Sequence, residues 1–196
     1  MQTEQTLELE GEHVSLCPLS LDHEPDLAAA AADGELWTLN FTFVPSKEET
    51  REYIETALKE RAAGKQYAFV VRRKADNKLV GCTRFYDIEP AHKNMAIGYT
   101  WYSASAQRTA VNTETKLLLL SYAFDQQDCI SIAFHTDHLN VRSQAAIARL
   151  GAKKEGILRN HRILPNGRIR HTWCFSITNE EWPYIKDNLK ARLKAG

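Results

Sequence analysis

The sequence predicts one mixed α/β domain, and three observations carry that reading. Between Asn94 and Gly151 the chain alternates strand and helix character in the order strand, helix, strand, helix. No internal repeat, low-complexity tract or Pro/Ser-rich linker divides the 196 residues, so a single domain over 1–196 is expected. With 43% hydrophobic and 26% charged residues the chain can build a full core. At this length folding removes roughly 70% of the unfolded surface from water, without need of a disulfide or structural metal.

The segment HVSLCPL alternates and is rich in strand formers, which puts a first strand near Val14 to Leu19. Ser20 then caps a helix over LDHEPDLAAAAADGEL, with Pro25 restricting its first turn and Gly34 as its stop. Ser46 and Glu49 form a capping box, after which Tyr53, Ile54, Ala57 and Leu58 recur at helical spacing as far as Gly64. Tyr67 to Arg72 and Leu79 to Tyr86 flank the turn residues Ala75-Asp76-Asn77 and predict a hairpin. NMAIGYTWY, Asn94 to Tyr102, is a further strand whose interior Gly98 marks a bulge or a close approach by another backbone. After the loop SASAQRTAVN come a helix from Thr113 (TETKLLLLSYAF), a strand (CISIAFH) and a helix (NVRSQAAIARLG) stopped by Gly151. Gly156 to Leu164 and Arg168 to Ile177 form a second hairpin about Pro165-Asn166-Gly167. Thr178 and Glu181 box the start of a last helix containing Trp182, Tyr184, Ile185 and Leu189.

Composition narrows the function classes. Cys17, Cys82, Cys129 and Cys174 lie far apart, in or beside apolar runs and never as C-x-x-C, and read as reduced, buried thiols. The start MQTEQTLELEGE has no basic region and no apolar stretch of signal-peptide length, and nothing approaches a membrane span, so a cytoplasmic location without membrane association is expected. Net charge is zero, yet residues 1–62 hold 4 basic and 14 acidic residues and residues 140–196 hold 12 and 4. Such an uneven distribution can build a field that draws an anionic ligand. Neither G-x-G-x-x-G nor G-x-x-x-x-G-K-[ST] occurs, which removes the Rossmann and P-loop readings. No RNA-binding motif is present, so nucleic acid is not an expected partner, and no third ligand cluster accompanies His135, Asp137 and His138, so no metal is expected.

The loop SASAQRTAVNTETK lies between a strand and a helix, where backbone N–H groups and the helix dipole can grip a phosphate. In order and in residues the chain resembles the GNAT superfamily of acyl-CoA-dependent N-acyltransferases, in particular the branch with bacterial ribosomal-protein N-terminal acetyltransferases. The resemblance covers nearly the whole length. It rests on strand NMAIGYTWY, loop Gln107-Arg108-Thr109-Ala110-Val111-Asn112 with its following helix, and CISIAFHTDHLNVRSQAAIARLGA, which supplies Asn140, Arg142, Ser143 and Gly151. It implies a mostly antiparallel sheet flanked by helices and splayed between its fourth and fifth strands, with acetyl-CoA as co-substrate. It further implies that backbone amides from Arg108 to Thr113 hold the pyrophosphate and that Gln107 or Arg108 adds side-chain contacts. The strand edge at Thr100, Trp101 and Tyr102 would pair with the pantetheine amides. Asn140 and Arg142 fall near the pantetheine, and Ser143 near the thioester sulfur as candidate acid for the leaving thiolate. Related proteins often form homodimers, and the final hairpin and helix are the elements that would support one here.

The sequence departs from the family at three positions. Ala110 stands where the loop commonly has glycine, which costs about 1 kcal/mol or more if φ must be positive there. Ala96 replaces the Glu that serves many relatives as general base, and Ile147 replaces a Tyr general acid. A site without a dedicated carboxylate suits an α-amine, about a quarter neutral at physiological pH, better than a lysine side chain, neutral roughly once in a thousand molecules. The gap is worth about 3.5 kcal/mol. His135, His138 or Asp137 could accept the proton, and His135 is the catalytic candidate beside Ser143. The expected activity is acetyl transfer to a primary amine, a protein N-terminus or a small molecule, by direct attack in a ternary complex. The alternative is an acyl-CoA-binding protein that has lost turnover. His161, Arg162, Arg168, Arg170 and His171 on the final hairpin read as a solvated exterior or as a face for a CoA phosphate, an acidic acceptor or RNA, and Trp37, Phe41 and Phe43 as core packing or as part of the region that shapes the acceptor pocket of relatives.

Overall fold

In the computed structural model, which describes residues 7–39, 42–164 and 166–195, eight strands hydrogen-bond into one sheet. They are β1 (Leu9–Glu10), β2 (Val14–Pro18), β3 (Gln66–Arg73), β4 (Lys78–Glu89), β5 (Asn94–Tyr102), β6 (Ser131–Asp137), β7 (Lys153–Ile163) and β8 (Ile169–Thr178). The helices are α1 (Glu24–Ala32), α2 (Thr50–Ala62), α3 (Ala110–Ser121), α4 (Val141–Leu150) and α5 (Trp182–Lys194). Sheet order is β1-β2-β3-β4-β5-β6-β8-β7, antiparallel throughout except for the parallel pair β5–β6. The short edge strand β1 adds one to the expected count, so the fourth and fifth strands of the sequence reading are β5 and β6.

Local chemistry accounts for the boundaries. The backbone N–H of Ser46 donates to Glu49 at 2.9 Å and that of Thr178 to Glu181 at 3.0 Å, so the carboxylate half of each expected capping box forms just ahead of α2 and α5. Ser20 opens a 3₁₀ turn over Leu21–His23, whose His23 Nδ1 accepts from the Ser20 N–H at 3.1 Å, before α1 begins. Gly34, Gly64, Gly151 and Gly167 all take positive φ where helices or turns end. Phe41 and Pro165 lie outside the described residues.

The sheet divides the core in two. On one face Leu119, Leu120, Ile185 and Leu189 of α3 and α5 pack on Phe69, Phe85, Ile97, Ile132 and Ile177. On the other, Leu27, Ile54 and Ala57 of α1 and α2 pack on Val70, Cys82 and Trp101. All four cysteines are free thiols, but only Cys82 and Cys129 are buried as expected; Cys17 and Cys174 are partly exposed. Among the described residues no helix is long and apolar enough to cross a membrane.

Two sequence expectations change. The helix expected from Thr113 starts at Ala110, because Thr109 is its N-cap and accepts from the Val111 N–H at 3.3 Å. At Gly98 the close approach is made by a side chain and not by another backbone, and the bulge falls just after it. A Cβ there would stand 2.7 Å from Cε1 of Tyr86, whereas the left-handed residue of the strand is Tyr99, φ 51°. Tyr99 lies in the stretch where β5 carries one more residue than β4 between the pairs Cys82–Trp101 and Arg84–Gly98.

One buried carboxylate anchors α3 to the sheet. Glu114 accepts from the backbone N–H groups of Glu12, His13 and Val14 at 2.8, 2.7 and 2.7 Å, tying the helix to the turn between β1 and β2. Its side chain presses against Gly11, where a Cβ would collide with the carboxylate. Glu114→Ala strands three donors and should destabilise the fold by about 3 kcal/mol, while Glu114→Gln, which keeps one acceptor oxygen, should lose less. Urea denaturation of the three proteins checks this: equal midpoints for wild type and Glu114→Ala would refute the anchor.

Candidate active site

The site begins where two parallel strands part. β5 and β6 pair only through Asn94–Ser131, Met95–Ile132 and Ala96–Ala133; beyond Ala96 the two edges diverge, as the resemblance implied. Along β5 the open stretch runs from Ile97 to Tyr102. Unpaired backbone groups of a strand require partners, so an extended chain with amides is the natural complement of this opening.

At the open end, the loop after β5 carries the anion-binding chemistry. Arg108 takes the left-handed conformation, φ 61°, and Thr109 is extended. Ala110 lies in the first turn of α3 and is not among the positive-φ residues, so the missing family glycine costs nothing; Asn112 is likewise helical. The N–H groups of Ala110 and Asn112 stand at the positive end of the helix dipole ahead of the first intrahelical bond; that of Val111 is taken by Thr109 Oγ1, and Thr113, four residues past the N-cap, belongs to the helix ladder, so its amide drops out of the expected Arg108 to Thr113 set. Arg108 is exposed beside them. The Gln107 amide is already engaged at both ends, donating to the Tyr102 carbonyl at 2.9 Å and accepting from Arg142 Nη2 at 2.6 Å. That pair joins the loop to the start of α4. It also removes the Tyr102 carbonyl from the free edge.

On the other wall, Asn140 caps α4, its Oδ1 accepting from the Ser143 N–H at 2.9 Å, and Ser143 sits half-buried on the first turn. Trp101 does not face the opening by its side chain: it points into the core beneath α2, with Nε1 3.4 Å from the Tyr53 hydroxyl. Val111 is also core, and Ile147 is buried in the same cluster. Asp137 is fully buried and saturated. Burial pushes its carboxyl up, but Arg168 at 2.5 Å and the Leu139 N–H at 2.9 Å hold it below the usual carboxylate range. It anchors the turn into α4, with His138 at 3.1 Å, and is therefore not placed to receive a proton from an acceptor.

The face of the sheet toward α1 and α2 supplies the remaining chemistry, because alternate residues of each strand share it. Ala96 stands opposite Tyr86, and the Tyr86 hydroxyl lies 2.8 Å from His135 Nδ1, one turn of the pleat past the fork. Burial lowers the His135 pKa from its ordinary 6.5, and His161, Arg170 and Arg162 lower it against the pull of Asp87, leaving a neutral imidazole at pH 7. Tyr86 packs edge-on to Tyr99 at 5.3 Å. Arg84, buried, lies between the rings of Tyr53 and Tyr99 at 4.5 and 4.6 Å and donates to Gln66 at 2.9 Å. Phe43, more than half exposed, reaches the Tyr53 ring at 6.1 Å.

Lys116 was not foreseen. Its ammonium is buried on the α3 face of the fork and donates to Thr100 Oγ1 at 2.8 Å, which also lies 2.8 Å from Thr83 Oγ1. Burial alone brings its pKa down to about 7. The signal was in the spacing, since Leu119 and Leu120 follow Lys116 by three and four residues and belong to the buried stripe.

A family model for an acetyltransferase (GNAT) domain matches residues 13–153. No curated protein gives a significant sequence match. Among solved structures, a chain assigned as an acetyltransferase is 33% identical, with 95% of this chain and 93% of that one covered and a TM-score of 0.85. A GCN5-related N-acetyltransferase from Brucella melitensis is 30% identical, covering 95% and 85%, with a TM-score of 0.86. A ribosomal L7/L12 alpha-N-protein acetyltransferase shares the fold at 20% identity, covering 88% and 94%, TM-score 0.77.

Lys116 gives the site a measurable pH signature. Below pH 7 it is charged both folded and unfolded, and burial of that charge weighs on the fold; between about 7 and 10.5 only the unfolded chain keeps the proton, so the penalty lifts as pH rises. Lys116→Met should therefore raise Tm over wild type by on the order of 5 °C at pH 6.5, the gap closing toward pH 10. A gap independent of pH in thermal melts would mean that the amine is not depressed.

Proposed function

Since the chain belongs to the GNAT acetyltransferase family, whose donor is acetyl-CoA, we propose that it transfers the acetyl group to an α-amine by direct attack. The observation that carries this reading is the fork, with His135 at its floor on the acceptor side and an N–H array at its mouth. The residues present fit the donor. The free edge of β5 suits the amides of its pantetheine arm, and the first turn of α3 with the Arg108 cation suits its pyrophosphate. When bound, acetyl-CoA supplies an activated acyl thioester.

The acceptor amine must arrive neutral or lose its proton on attack. In the tautomer where His135 Nδ1–H donates to the Tyr86 oxygen, Nε2 keeps a free lone pair and takes that proton. Burial holds the Tyr86 hydroxyl protonated by pushing its pKa up, so the pair does not ionise against itself. A base this weak matches an amine near pKa 8 far better than one near 10.4, which favours a protein N-terminus or a small α-amine over a lysine side chain. Ser143, whose N–H is fixed by Asn140, is the proposed acid for the departing thiolate.

Two measurements test the proposal. Calorimetric titration with acetyl-CoA should give micromolar binding. Arg108→Gly, which keeps the positive φ but removes the cation, should weaken it several-fold, and Arg108→Pro, which cannot adopt φ 61°, should abolish it. In turnover with a peptide N-terminus, log kcat/KM against pH should rise with slope 2 below the His135 pKa, itself under 6.5, and slope 1 from there to about 8. His135→Gln should lower the rate about 100-fold and leave slope 1 throughout. Tight binding with no CoA release from any amine would leave the chain a binding protein.

A further inference from the structure

Cations crowd the β7–β8 hairpin on the face that carries His135. Along β8 that face is formed by Arg170, Thr172 and Cys174, and Cys174 stands opposite His135. Arg162 of β7 stands opposite Arg170, a juxtaposition of like charges that disfavours a sheet unless something anionic joins them. Arg170 is partly buried, makes no hydrogen bond or ion pair among the described residues, and its Nε is shut off from solvent without a partner. A guanidinium Nε–H shut off from water without an acceptor is costly in a finished fold. The carboxylates nearby do not resolve it: Asp137 is committed to Arg168, and Asp87 is exposed on β4. His161, bonded through Nδ1 to Thr172 at 3.0 Å, borders the same patch.

We infer that the acceptor carries an anionic group, a carboxylate or phosphate, on the same molecule as its amine, and that Arg170 with Arg162 and His161 forms the subsite that holds it. The inference rests on the acetyl transfer proposed above. The Arg170 guanidinium matches the bidentate geometry of carboxylate and phosphate, and two arginines sharing one anion turn their repulsion into attraction. Strand spacing sets the ruler. At about 3.3 Å per residue, Thr172 and Arg170 lie roughly 7 and 13 Å along β8 from the level of His135, so an amine at His135 reaches the cations with a group two to four residues down a peptide. The same span admits an aminoalkyl phosphate. The donor's phosphates have separate partners at the start of α3.

The test compares the N-terminal tetrapeptide sequences Ser-Glu-Glu-Glu, Ser-Gln-Gln-Gln and Ser-Lys-Lys-Lys at the head of one common peptide, together with aminoalkyl phosphates of two to six carbons. CoA release by the full chain is read against wild type, Arg170→Ala, Arg170→Lys and Arg162→Ala. The acidic peptide should exceed the neutral one at least ten-fold in kcat/KM through KM. Arg170→Ala should erase most of that preference and Arg170→Lys restore part, with acetyl-CoA affinity unaltered by calorimetry. Phosphates outrunning the acidic peptide would assign a small-molecule source of the anion, and the reverse a peptide. A preference that survives Arg170→Ala, acidic acceptors no better than neutral ones, or an Arg170→Ala effect confined to acetyl-CoA binding would each overturn the inference. Independently of turnover, the N-acetylated acidic peptide should bind the CoA-loaded protein, and Arg170→Ala should weaken it at least ten-fold. Binding without transfer would remove the proposed activity but keep the subsite, and transfer without that binding would do the opposite.

Discussion

Everything at the centre of this protein follows from one interrupted ladder. Parallel strands β5 and β6 share three residue pairs and then separate, and a strand that leaves its neighbour exposes backbone donors and acceptors that water or another chain must satisfy. The bulge at Tyr99 is part of the same event, since an extra residue bends the strand and increases its twist. With the edge of β5 open, the turn that follows it can place the first N–H groups of α3 at the mouth of the gap instead of in the sheet. The Gln107–Arg142 pair then ties the two walls together at that mouth.

Glu114, Arg84 and Lys116 are buried ionisable side chains around the fork, and each is handled differently. Glu114 receives three backbone donors, so its charge is compensated by dipoles that no other element uses. Arg84 is held between two aromatic rings and an amide oxygen, which offset its charge although its buried Nε has no hydrogen-bond partner among the described residues. Lys116 has only hydroxyl partners, Thr100 and through it Thr83, and a hydroxyl can accept equally from an ammonium or an amine. Its proton is therefore the weakly held one, and burial draws the pKa down for want of any opposing charge.

The fold was legible because hydrophobic periodicity and end signals are local. Ser46–Glu49, Thr178–Glu181, Gly151 and Gly167 all stand where the sequence places them. The start of α3 was misread by three residues because Thr109, a good N-cap, was hidden among Ser, Ala and Thr that all suit a loop. The concern over Ala110 had the same origin: which residue of a loop turns left-handed is set by where the helix begins, and with the cap at Thr109 that residue is Arg108. What could not be read were contacts between elements far apart in sequence. The Tyr86–His135 bond joins residues 49 apart, and the partners of Glu114 lie about 100 residues away. Asp137 looked chemically available by residue type and proved to be a saturated anchor.

The residues at the floor of the fork depend on one another. Tyr86 can lie over β5 and reach β6 only because position 98 has no Cβ; an alanine there would meet the ring 2.7 Å away. Position 96, directly opposite Tyr86, is held by alanine, the smallest side chain that still covers the strand. The same two small residues that leave β5 without a carboxylate base thus make room for a tyrosine that fixes a histidine on the neighbouring strand. A phenol clamped to Nδ1 orients the ring and leaves Nε2 as its other nitrogen. Burial together with the cations of the hairpin keeps that ring neutral at physiological pH. In the proposed reaction, proton-accepting capacity would thus sit on β6 instead of β5, and a neutral imidazole beside a cationic patch is an electrostatic setting that suits an α-amine bearing a negative charge.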